Sequence, residues 1–215
     1  MTADELLSRL VALPPEARDA EVERLFNLTP PKGFESPPSD QMVGYHASHL
    51  AFVVRALIAA EVGPDDVFID IGSGMGKVTT LARVLTGARV RGIEYVGALV
   101  DLAPRVDGVE YVHGDARQAP LDDGTVFFLY APFTGALRRE VFARLHAVAK
   151  RRGIAVCAMA FDAEREWLQL RAPDQVWLQV FHSQVEGVAA RPAMNRTVDP
   201  RMVRLANAEP ALSAQ

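Results

Sequence analysis

The chain has 215 residues, 49% of them hydrophobic and 23% charged, with a formal net charge of −4. That is enough sequence for one domain with a sizeable core and a short extension, and the charge offers no general attraction to nucleic acid or anionic membranes. A single cysteine excludes an intrachain disulfide, no apolar run approaches the ~20 residues of a membrane span, and the acidic start "MTADELLSRL" is unlike a signal peptide, so a cytoplasmic protein with no nucleic-acid or membrane partner is expected.

Residues 3–28 carry two short amphipathic stripes, Leu6, Leu7, Leu10 and Val11, then Val22, Leu25 and Phe26, separated by "PPE" at 14–16. The proline-rich "TPPKGFESPPSDQ" (29–41) predicts a loop or strap. Residues 1–45 hold eight acids against four bases, so this segment carries the whole net charge. Residues 1–44 are too few for a domain of their own and are expected to pack on the core as a helical cap.

From Tyr45 to Val62 the apolar spacing predicts a helix, stopped by "GPDD" at 63–66. Beyond it, strand-like runs at 67–71, 89–94, 109–112, 126–130 and 153–160 alternate with helical stretches at 76–86, 96–104 and 135–150. Such alternation predicts an α/β, Rossmann-like, mostly parallel sheet with helices on both faces. "KRR" at 150–152 suits a helix C-terminus, and Cys157 a buried strand position. Trp167 and Trp177 are expected to serve packing. "QVWLQVFHSQVEGVAAR" (175–191) reads as a C-terminal antiparallel hairpin at the sheet edge. The main domain is thus 45–192, followed by a polar tail, 193–215.

The most informative stretch is "FIDIGSGMGKVTTLA" (68–82). In an open α/β sheet, ligands bind beyond the carboxyl ends of the strands, and glycines there allow positive φ and close approach to the backbone. A dinucleotide turn, G-x-G-x-x-G, would need its third glycine at Lys77; the third glycine is Gly76. A P-loop is excluded by the missing four-residue gap and Lys-Ser/Thr pair. Lys77 itself is expected to be a solvated first-turn lysine. Glu94 closes the second strand, where a carboxylate can accept from both ribose hydroxyls, in a dehydrogenase as well as elsewhere. Asp115 follows the third strand in "HGDARQAPL" (113–121).

The G-x-G-x-G spacing, with Asp70 two residues before it, resembles class I S-adenosylmethionine-dependent methyltransferases over residues 45–190 or so. The resemblance implies S-adenosylmethionine as cofactor, and no metal is expected because His46 and His49 have no clear third partner. It implies a cofactor turn of Gly72, Ser73, Gly74 and Gly76, with Asp70 orienting the loop or reaching the methionine amino group. Glu94 becomes the ribose acid, followed by Tyr95, while Asp115 and the Ala116 N–H meet the adenine. Tyr130 closes the fourth strand beside the same site. The following "YAPF" resembles the "YNPF" of bacterial Dot1-like methyltransferases, with Ala131 in place of the polar residue and Phe133 shaping the acceptor pocket.

Methyl transfer needs a base only when the acceptor arrives protonated. Tyr45, His46 and Tyr130 are the catalytic candidates, ahead of His182. His49 is a candidate for binding the acceptor, four residues from Tyr45 and on the same face if the helix has begun there. A small-molecule acceptor is expected, with the acidic N-terminal segment closing over a compact pocket. A Dot1-like protein lysine N-methyltransferase is the alternative, then an NAD-binding oxidoreductase, then a cofactor-binding protein without catalysis.

Overall fold

The computed structural model describes residues 1–29, 33, 39–172, 177–193 and 197–208. Most of the expected proline-rich strap, 30–32 and 34–38, lies outside the described residues. Seven strands form one sheet: β1 Val67–Ile71, β2 Arg89–Glu94, β3 Val109–His113, β4 Val126–Tyr130, β5 Ala155–Met159, β6 Leu168–Ala172 and β7 Leu178–Ser183. Their order is β3-β2-β1-β4-β5-β7-β6. The first five strands run parallel, and β7 pairs antiparallel with both β5 and β6.

The central strands have apolar side chains on both faces because both are covered. Phe68, Val126, Phe128, Ala155 and Cys157 point to one buried cluster, and Val67, Ile69, Ile71, Phe127, Leu129 and Val156 to the other. The first cluster takes in α1 (Ala3–Ala12), α2 (Arg18–Phe26), α3 (Leu50–Ala59), α4 (Lys77–Thr86) and α7 (Pro200–Ala206). The second is covered by α6 (Gly135–Ala149), while the short α5 (Gly97–Leu102) packs beside β2 and β3. The N-terminal segment therefore contributes Leu6, Leu10 and Val22 to the main core. No helix of the described residues is long and apolar enough to cross a membrane.

Three expectations change. The edge hairpin pairs β6 with β7 instead of two strands within 175–191, of which 175 and 176 lie outside the described residues: "LQLRA" forms a strand, whereas the segment after Ser183 turns at Gly187, whose φ is +75°. Trp177 is 50% exposed instead of packed, while Trp167 stacks on His146 with ring centroids 4.9 Å apart. The helix expected from Tyr45 starts only at Leu50. Residues 42 and 43 are drawn out by pairing with the loop after β4: Met42 bridges Phe133, and Val43 N donates to Pro132 O at 3.1 Å. The polar tail contains α7, with Asp199 accepting from Arg201 N at 2.8 Å and Pro200 at the first helical position, a favoured helix start.

Candidate functional site

Between β1 and β4 the strand order reverses, and the carboxyl ends of these strands part to leave a crevice. A cavity of about 300 Å³ lies there, walled by the glycine turn, the ends of β2 and β4, and the extended segment 42–48.

The turn hangs from the end of β2: Gly72 N and Ser73 N both donate to Ile93 O, at 2.8 and 3.0 Å. Gly72, Gly74 and Gly76 have φ of +84°, +53° and +82°. Each also makes room for another element. A Cβ at Gly72 would stand 2.7 Å from Pro132 Cβ, one at Gly74 2.5 Å from Tyr45 Cε2, and one at Gly76 would strike the Tyr111 hydroxyl. The Tyr111 hydroxyl is bonded to Thr79 Oγ1 at 2.8 Å. Gly72 and Gly74 line the cavity with Ser73, whereas Gly76 stands behind it, against β3.

Three carboxylates border the cavity. Glu94, 8% exposed, accepts from Gly74 N and from Val96 N, both at 2.8 Å, so the end of β2 braces the turn and the start of α5. Asp70, 2% exposed, has a buried Oδ2 with no hydrogen-bond partner. Burial, and then the charge of Glu94, push its carboxyl well above the usual range. Asp115 is held by Arg117, whose Nη2 lies 2.6 Å from Oδ2 and whose backbone N donates to Oδ1 at 2.8 Å; these bonds hold its carboxyl below the usual range. Tyr95 and Ala116 complete this side.

The opposite wall is apolar and aromatic: Tyr130, Ala131, Phe133 and Met42 line it. Ala131 has φ +34°, a left-handed conformation uncommon for residues other than glycine. It is pinned there by its N–H, which donates to Met159 O at 3.0 Å. Burial raises the Tyr45 phenol to about 12, helped by the charges of Glu23 and Glu94, and burial alone raises that of Tyr130. His46 is exposed at the rim.

His49 is not part of the lining. It precedes α3, outside any shared helix face with Tyr45, and its Nδ1 meets Asp19 Oδ2 at 2.7 Å. His182 stands opposite Ala155, the first residue of β5, and so at the end of the sheet away from the cavity. Lys77 is not solvated: it is 4% exposed, and its ammonium donates to Asp19 and Glu23 at 2.7 and 2.8 Å. Asp19 and Glu23 had no sequence signal beyond their four-residue spacing on one helix, because their partner lies more than fifty residues away. No group of three or more metal-ligating side chains occurs among the described residues.

The chain matches the family model described as histone methylation protein DOT1 over residues 39–112. Its structure is similar to that of an RNA methyltransferase from Salinibacter ruber in complex with S-adenosyl-L-homocysteine, at 25% identity over 69% of this chain and 99% of that one, with a TM-score of 0.56. A putative S-adenosyl-L-methionine-dependent methyltransferase from Methanococcus maripaludis aligns at 15% identity over 51% of this chain and 55% of that one, with a TM-score of 0.42. A geranyl diphosphate methyltransferase in complex with SAM aligns at 20% over 52% and 48%, with a TM-score of 0.44. No curated protein matches the sequence. The reversed strand order, the glycine turn at the reversal, the family-model match and the likeness to the Salinibacter ruber enzyme agree: the chain has the class I methyltransferase fold and is an S-adenosylmethionine-dependent methyltransferase.

Proposed function

We propose that the cavity takes S-adenosylmethionine on its β1–β2 side and a small-molecule acceptor on its β4 side. The observation that carries this is the division of one cavity into a half bordered by Asp70, Glu94 and Asp115 and a half of aromatic and apolar surface. The first half fits the donor. The unpartnered, buried Asp70 Oδ2 suits a cationic amino group. Glu94 spends one lone pair of each oxygen on the backbone and keeps others for the ribose hydroxyls. Asp115 and the Ala116 N–H meet the adenine edge, with Tyr95 and Tyr130 beside them, and Gly72, Ser73 and Gly74 form the turn around the rest, with Gly76 behind it.

When bound, the cofactor supplies a methyl group on a positively charged sulfur, which is a good leaving group. The chain's own task is to align the acceptor and exclude water, where proximity contributes ~7–11 kcal/mol. Ala131 and Pro132 are suited to this, being tied to β5 and to the 42–48 segment through Met159 O and Val43 N. Tyr45 and Tyr130 keep their phenol protons at neutral pH, so they act as walls and donors. His46, at the rim, accepts the proton of an acceptor that arrives protonated.

Residues 130–137, "YAPFTGAL", contain no acid and no amide side chain to hold an ammonium, which favours a compact acceptor arriving uncharged. A protein lysine is the second reading. The DOT1 match favours it, although that match ends at residue 112, before Tyr130, Ala131 and Phe133 of the acceptor wall. The test is incubation of the enzyme and methyl-labelled S-adenosylmethionine with a host extract. Label in low-mass material is expected. Label in protein would establish the second reading, and label in RNA, the substrate class of the Salinibacter ruber relative, would overturn both.

A further inference from the structure

We infer that Lys77 is a positioning residue of the donor site: it fastens α2 to the glycine turn, so that cofactor affinity depends on a helix that contributes no wall to the cavity. The inference rests on the donor-site reading above.

Lys77 is the first residue of α4, directly after Gly76. A cation is disfavoured at a helix N-terminus, where the dipole is positive, and burial adds a desolvation cost. At 4% exposure this ammonium needs compensation, and it receives it from two carboxylates of α2. Asp19 and Glu23 are one turn apart and so share a face. Asp19 does more. The oxygen that meets Lys77 also accepts from Leu50 N at 2.9 Å, satisfying an orphan donor of α3 from outside the helix. Its other oxygen meets His49 Nδ1 at 2.7 Å. One side chain thus ties together the start of the glycine-turn helix, the start of α3 and the end of the 42–48 segment.

Both tied segments border the cavity, through Lys77 and Ser48. The charge of Glu23 also reaches Tyr45, whose phenol it helps to raise and whose ring packs on Gly74. Adhesion of the N-terminal helices to the core does not need this cluster, because Leu6, Leu10 and Val22 already bury them. What the ion cluster adds is placement: it fixes the turn relative to the segment that faces it across the cavity.

The test uses full-length protein, with S-adenosylhomocysteine titration and steady-state kinetics on Lys77→Met, on Glu23→Gln, and on a triple variant, Asp19→Asn with Glu23→Gln and Lys77→Met. Lys77→Met is expected to weaken binding about tenfold or more and to raise the donor KM, with kcat at saturating donor within about threefold of wild type. Glu23→Gln, which leaves the Asp19 pair in place, is expected to weaken binding by roughly threefold. The triple variant, free of mismatched buried charge, is expected to regain thermal stability without regaining affinity. A Lys77→Met or Glu23→Gln protein that melts earlier but binds as wild type would reduce the cluster to a structural pin and overturn the inference. Should Lys77→Met fail to fold, Glu23→Gln and the triple variant decide. Failure of the wild-type protein to bind would overturn the donor-site reading itself, and this inference with it.

Discussion

The ring of Tyr45 packs on the backbone of Gly74: a Cβ added at 74 would stand 2.5 Å from Tyr45 Cε2 and 2.7 Å from Cδ2. Pro132 crowds Gly72 and Tyr111 crowds Gly76 in the same way. Gly72 and Gly74 therefore admit walls of the site as well as any ligand, while Gly76 admits β3 behind it. Gly74→Ala is expected to displace either the ring or the turn, on top of the ~1–2 kcal/mol cost of a left-handed alanine. Donor affinity should fall by about tenfold or more, as read by S-adenosylhomocysteine titration. Gly74→Ala with Tyr45→Ala should recover part of that loss; no recovery would mean that backbone strain alone is responsible.

Glu94 joins the donor site to the fold. Its carboxylate accepts two backbone N–H bonds, that from Gly74 buried and that from Val96 partly so, and bonds to a charged group are each worth roughly 1.5–3 kcal/mol. Glu94→Ala is expected to lower stability by about 2–4 kcal/mol, measured by urea unfolding, and also to cost donor binding. Glu94→Gln should fold better than Glu94→Ala, because its amide oxygen retains one of the two acceptors.

Asp70 imposes a pH dependence of definite sign. Burial and the Glu94 charge raise its folded pKa well above the ordinary value of 3.8, so the folded chain holds this proton when the unfolded chain has lost it. Its stabilising contribution is complete below the unfolded pKa and is lost as pH rises toward the folded one. Asp70→Asn, which never ionises, should therefore exceed wild type in stability at neutral pH, with the gap closing as pH approaches 4. Thermal unfolding of the two proteins across pH checks this, and the stabilised variant should bind the donor more weakly. An unchanged gap would show that Asp70 ionises without cost in the fold.

Two histidines stand at different distances from the cavity. His46 lines the rim, and His182 lies beside the first residue of β5 at the opposite end. His46→Ala should lower kcat for an acceptor that arrives protonated, and His182→Gln should leave kcat within about twofold of wild type. Steady-state rates of the two variants distinguish them. A large loss on His182→Gln would contradict the position assigned to the site.

Much of the fold was legible because its strands are short apolar runs buried on both faces. "VFIDI" and "VFFLY" coincide with β1 and β4. The glycine turn was legible too, since its spacing and the acids at 70 and 94 are local features. What escaped was decided by distant partners. Residues 45–49 have helical spacing but lie outside α3, after a segment that pairs with Pro132 and Phe133. Lys77 reads as a surface lysine until α2 brings Asp19 and Glu23 to it. Trp177 reads as packing, yet it stands just before β7 and stays exposed. The Asp199–Pro200 start of α7 was present in the sequence as a cap followed by a first-turn proline, inside a tail whose polarity concealed it.

The most direct measurement is calorimetric titration of S-adenosylhomocysteine into the wild-type chain and into Glu94→Ala. One-to-one binding to wild type, weakened by about a hundredfold or more in Glu94→Ala, is the predicted result. Equal binding by both proteins, or binding of a nicotinamide dinucleotide in its place, would contradict the assignment of this cavity to the methyl donor.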